Sequence, residues 1–117
     1  MKLNDILNRA IMLCGADADY ISDNNQESLK SRGLSAINTV LYDICEMPAF
    51  ESISDEAEIN APTADAAVYG TAMFLCLAFG DTDKSSLFSK IYSDKRTAVK
   101  SGVGYITDKS PKEGEAL

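Results

Sequence analysis

A chain of 117 residues with 18 acidic and 11 basic side chains, net charge −7, has room for one domain with a modest core. Its 45% hydrophobic and 25% charged residues are those of an ordinary globular protein and argue against wholesale disorder. The acidic balance argues against tight, sequence-specific DNA binding, which needs clustered Lys and Arg, and the absence of histidine removes Cys/His zinc sites and His-based nucleophile relays.

Apolar residues Leu3, Ile6, Leu7, Ala10, Ile11 and Cys14 recur at three- and four-residue steps, which predicts a first helix from about Asn4 to Cys14, stopped by Gly15. Asn4, Asp5, Asn8 and Arg9 interrupt the apolar pattern, so a secretory signal is not expected and the chain is read as remaining in the cytoplasm. Residues 16–23 read as a loop. Its Asp17, Asp19 and Asp23 do not make a calcium loop, because Ile21, Ser22 and Ser28 stand where a ligand, a glycine and a glutamate are needed.

Asn24 and Glu27 have the spacing of a capping box and open a second helix whose core stripe is Leu29, Gly33, Ala36, Ile37, Val40, Leu41, Ile44 and Cys45. Pro48 is expected to end it, since proline disfavours helix in the residue before it. Gly33 on the stripe implies close approach of a neighbouring helix. The long connection from Met47 to Thr63 carries Glu51, Asp55, Glu56 and Glu58 and no basic residue, with Phe50, Ile53 and Ile59 expected to pin it to the helices. Connections of that length are usually functional or mobile, which makes this one a candidate contact surface.

A third helix is predicted from about Ala64 to Phe79. Its apolar block, Ala66 to Phe79, is hydrophobic on all sides, so it must be covered on all sides, yet fourteen residues fall short of the about 20 needed to cross a bilayer. With only three other helices as cover, part of it is expected to be covered by another subunit. Ala66 and Gly70 form a small-residue notch, and Gly70 calls for a packing reason because glycine weakens a helix interior. The fourth helix follows Gly80, with Asp81 and Asp83 at its start, Lys95, Arg96 and Lys100 at its end, and Leu87, Phe88, Ile91, Tyr92 and Val99 as its stripe. Residues 101–117 are expected to form a flexible tail, in which Val103 and Tyr105 alternate as in a strand and could pair with a sheet edge elsewhere. The expectation is thus an all-α bundle of about four helices over residues 1–100, with a long acidic connection between the second and third and a tail over 101–117.

Cys14, Cys45 and Cys76 each fall in an apolar helical pattern, with no CxxC pair among them, and read as buried, reduced core residues. Phosphate-binding glycine loops, nucleophile elbows and zinc-protease motifs are missing too, so no catalytic residue, metal or cofactor is expected. Residues 48–65 carry five acidic side chains and no basic one, whereas residues 66–117 carry seven basic and six acidic. The acidic connection of one subunit could therefore meet the basic set Lys90, Lys95, Arg96 and Lys100 of the next, a heterologous contact that generates rings or filaments.

With four helices placed, the chain resembles the small head-tail connector (head-completion, adaptor) proteins of tailed bacteriophages and prophages. The carriers are Leu13-Cys14-Gly15, Leu41-Tyr42-Asp43-Ile44, residues 50–55 (FESISD), residues 67–75 (AVYGTAMFL) continuing to Gly80-Asp81, and the segment from Phe88 to Tyr92. The resemblance implies a structural, non-enzymatic subunit of a homo-oligomeric ring beneath the portal, often twelvefold. Such a ring extends the DNA channel and receives the next head-completion or tail protein. Its place would be the virion head-tail junction, after assembly in the host cytoplasm, with DNA only as passing cargo and no membrane. The resemblance also implies that the tail from Ser101 orders on docking to the portal or a neighbouring subunit. The interface expected on these grounds comprises Glu51, Asp55, Glu56, Glu58, Gly70, Lys90, Lys95, Arg96, Lys100, Val103 and Tyr105. The competing reading is a cytosolic α-helical interaction or regulatory module that docks one partner through its apolar third helix.

Overall fold

A computed structural model of the chain describes residues 1–15 and 26–102. They form four helices, α1 (Leu3–Cys14), α2 (Gln26–Cys45), α3 (Ala61–Ala78) and α4 (Thr82–Ser101), with no strand among the described residues, so the fold is the expected small all-α bundle. Asn24, the loop aspartates 17, 19 and 23, and the tail residues Val103 and Tyr105 lie outside the described residues.

The apolar helix is the centre of the fold: α3 packs against α1, α2 and α4, most extensively against α4. It begins at Ala61, three residues earlier than its apolar pattern indicates. Asn60 caps it, Oδ1 accepting from Thr63 N at 2.9 Å, and Pro62 fits the first turn, where a missing N–H costs no hydrogen bond. Ten of its residues, among them Ala66, Ala67, Val68, Gly70, Ala72, Leu75 and Cys76, are buried by this chain alone. The large apolar side chains of α3 that this chain leaves most exposed are near its C-terminal end, Phe74 at 38% and Leu77 at 57%. At 18 residues, α3 is long and apolar enough to count as a membrane-crossing candidate by composition, and its burial inside the bundle accounts for the same apolarity.

The small-residue positions have their packing reason. A Cβ on Gly70 would lie 2.8 Å from both Tyr92 Cε1 and Val40 Cγ1, so α3 meets α4 and α2 at one point that admits only hydrogen. Gly33 is similarly overlaid by the Leu7 side chain of α1.

Two predicted core positions are not core. Cys45, the last residue of α2, is exposed, its thiol donating to the Leu41 carbonyl at 3.3 Å. The helix stops there, with Glu46 in a left-handed conformation (φ 55°) two residues before Pro48. Leu87, in the second turn of α4, is 54% exposed, whereas Phe88 and Tyr92 carry that helix's burial against α3.

The acidic connection is a packed element. Phe50 N donates to Asn38 Oδ1 (2.8 Å) and Asn38 Nδ2 donates to Phe50 O (2.9 Å), so one α2 side chain satisfies both backbone groups as a strand partner would. Phe50, Ile53 and Ile59 pack against the core as expected. Asp55 is spent within the loop, Oδ2 accepting from Ser52 N and Glu51 N. The backbone of residues 55–57 runs beside the start of α1, with Leu3 N donating to Asp55 O (3.0 Å) and Ala57 N to Met1 O (2.9 Å).

Candidate functional site

A trough of about 610 Å³ lies between α2, α3 and α4, with Val40, Tyr42, Asp43, Met73, Phe74 and Arg96 among its walls. A second hollow of about 300 Å³, between Arg32 and Ala36 of α2 and Leu75 and Ala78 of α3, shares Thr39 and Phe74 with it. The two form one furrow along the α2–α3 seam. Phe74 of α3 and Tyr42 of α2 border it at 38% and 64% exposed, and Leu77, one turn after Phe74, is 57% exposed. Leu77 lies outside the lining of the furrow; with Tyr42, Phe74, Leu87 and Met12, the last 76% exposed, it makes up the large apolar side chains that packing within the chain leaves in water among the described residues.

One end of the furrow is closed by a polar knot. Asp43 Oδ2 accepts from Tyr92 OH (2.6 Å) and Arg96 Nε (2.6 Å), Oδ1 accepts from Arg96 Nη2 (3.1 Å), and Lys100 Nζ donates to the Asp43 carbonyl (2.9 Å). The Arg96 guanidinium, and after it the Tyr92 hydroxyl, holds the Asp43 carboxyl below the usual aspartate range. Burial, reinforced by the hydrogen bond to Asp43, pushes the Tyr92 phenol up, so it stays protonated. A carboxylate neutralised by a fork-bound arginine and a phenol that keeps its proton make poor bases and nucleophiles. The chemistry this arrangement performs is to clamp α4 to the end of α2.

The sign of the pH dependence follows. A carboxyl whose folded pKa lies below its unfolded value, about 3.9, adds stability that is complete above that value and is lost as pH falls through the folded one. In urea titrations, Asp43→Asn is expected to be less stable than the parent at pH 6, with the difference closing below about pH 4. A gap that persists unchanged at pH 3 would mean that the charge of Asp43 is not what stabilises the clamp.

Of the interface residues expected from the sequence, the structure brings few together across the acidic–basic divide. Arg96 and Lys100 are engaged by Asp43, and Lys95 forms an ion pair with Asp65 of α3 while its ammonium stands 5.3 Å from the centre of the Tyr69 ring. The pair with Asp65 raises the Lys95 pKa. The acidic segment and the basic helix end therefore already meet inside one chain, at Asp65 and Lys95, and again around a cleft lined by Glu58 and Lys100. An intersubunit pairing through Lys95 or Arg96 has to compete with these bonds. Lys90, Glu51 and Glu58 are exposed, and Gly70 is buried, so Gly70 is a packing position of the monomer and no direct contact surface. Sequence reasoning missed Tyr42, Phe74 and Leu77 as a surface group. The signal was their excess over what a four-helix core can bury, and helical spacing alone leaves open which of them face outward.

No group of three or more His, Cys, Asp or Glu side chains able to hold a metal ion exists among the described residues. No protein-family model, curated protein or solved structure matches the chain.

Proposed function

We propose that this chain is a structural subunit of a tailed-phage or prophage head-tail connector, assembling as a ring on the portal and extending the DNA channel. One observation supports the reading beyond the resemblance: large apolar side chains are left exposed on a packed bundle, Tyr42 and Phe74 at the furrow and Leu77 one turn further along α3. A self-contained helical domain with apolar side chains left exposed suits repeated docking of like subunits, or of subunit on portal. The net charge of −7 suits a conduit, because like charge keeps packaged DNA from adhering. Glu51 and Glu58, exposed on the connection, are open to face such a channel or a neighbour, whereas Glu56, also exposed, pairs with the N-terminal ammonium at 3.8 Å.

The second reading, a regulatory module that docks one partner, uses the same furrow and differs in stoichiometry. Native mass measurement at rising concentration, alone and with the portal protein of the same genome, separates the two. The connector reading expects closed oligomers larger than a dimer, and Phe74→Glu with Leu77→Glu to abolish them while the melting temperature stays within a few degrees. A chain that remains monomeric or twofold even with portal present would overturn it.

A further inference from the structure

The contact between α1 and α3 contains two thiols that neither packing nor assembly requires to be thiols. Cys14 ends α1 and Cys76 lies in the last turns of α3; they are 9% and 0% exposed. The Cys76 thiol donates to Cys14 Sγ at 2.7 Å, and the Cys14 thiol points at the Ala72 carbonyl one turn back along α3 (3.4 Å). A buried free cysteine normally does the work of a small hydrophobe, and one beside a backbone carbonyl needs no sulfur partner. Here two face each other across 62 residues of chain.

We propose that Cys14 and Cys76 form an oxidisable dithiol site, converted by a small peroxide into an intramolecular disulfide that staples α1 to α3. Closing the sulfurs by about 0.7 Å from their 2.7 Å separation reaches the disulfide length of about 2.05 Å, a shift within side-chain adjustment. Cys14, the more exposed of the two, loses its proton and its sulfur attacks one peroxide oxygen. The O–O bond breaks, the leaving oxygen takes up a proton to become water, and Cys14 becomes a sulfenic acid. The Cys76 sulfur, giving up its proton, then attacks the Cys14 sulfur and displaces the hydroxyl as a second water. Two thiols lose two electrons and hydrogen peroxide gains them. Burial and the neighbouring Cys76 push the Cys14 thiol pKa up, so the first step is slow and the site stays reduced until peroxide accumulates. Cys45, exposed on α2, is the faster-reacting thiol and gives products between chains, so the test removes it.

The Cys45→Ser protein is treated in its folded state with hydrogen peroxide. Remaining thiols are then alkylated in denaturant, and the chain is digested with trypsin without reduction. The expected product is peptide 10–30 joined to peptide 33–84, two hydrogens lighter than the two reduced peptides. A melting temperature about 10 °C higher, reversed by a phosphine reductant, should accompany it, as a cross-link closing a loop of this length implies. Methionine oxidation survives that reductant and so does not mimic the result. Cys14→Ser in the same background should show neither change. Full alkylation of both cysteines at every peroxide dose up to the one that unfolds the protein would overturn the proposal. So would a cross-link that appears only in denaturant.

Discussion

Ile37→Ala is expected to destabilise the fold by about 2–5 kcal/mol, a large share of the about 5–15 kcal/mol that holds a domain of this size. Ile37 is 0% exposed, on the face of α2 that turns into the core, and it lines neither hollow of the furrow. Truncation therefore removes the transfer energy of three carbons and leaves a void that water cannot fill and the helices close only in part. Ile37→Val should cost about 0.5–1.5 kcal/mol at the same place. Leu87→Ala, at a position 54% exposed, should stay within about 0.5 kcal/mol. Urea midpoints of the three variants check the order. Equal losses for Ile37→Ala and Leu87→Ala would mean that the burial of α2 described above is wrong.

Gly70→Ala, a change that strengthens most helices, is expected to weaken this one. Its Cβ would stand 2.8 Å from Val40 Cγ1 on one side and 2.8 Å from Tyr92 Cε1 on the other. Neither neighbour yields readily: Val40 is β-branched and 1% exposed, and the Tyr92 ring is tied at its hydroxyl to Asp43. Overpacking of this kind costs about 1–3 kcal/mol, against about 0.5–1 kcal/mol recovered by replacing a helical glycine, so the net loss is on the order of 1 kcal/mol. Adding Val40→Ala should make the two changes less than additive, because it vacates one of the two clashing sites. Thermal melts of the single and double variants read this directly. A stabilised Gly70→Ala protein would show that α2 and α4 stand further from α3 than the structure has them.

The helices themselves were legible because each is written in a local code. The three- and four-residue spacing of Leu3, Ile6, Leu7, Ala10 and Ile11 names both α1 and its buried face, and all five are buried. Gly15 and Asp81 mark helix ends by chemistry that involves only their own neighbours in the chain: Gly15 is left-handed at the end of α1, and Asp81 Oδ1 accepts from Lys84 N at the start of α4. Local codes lose force where a residue's environment is set from elsewhere. Leu87 belongs to the apolar stripe of α4 by spacing, yet α3 does not reach it. Cys45 continues the stripe of α2, yet the helix ends before anything covers it. The early start of α3 was hidden because Pro62 reads as a loop residue until Asn60 is seen to cap the turn that contains it.

The candidate site divides in the same way. An all-apolar third helix, an acidic middle segment and a basic end to the fourth helix are properties of composition and order, and the sequence by itself determined them, along with the all-α class. Only the tertiary structure decided which charges are spent inside the chain. Asp43 and Arg96, or Asp65 and Lys95, are far apart in sequence, and an ion pair between them exists only because the crossing of helices brings them within reach. The same crossing turned Phe74 and Leu77 outward and Leu75 and Cys76 inward. Four consecutive residues of one apolar helix have nearly equal reason to be buried, and a bundle of this size has cover for only some of them.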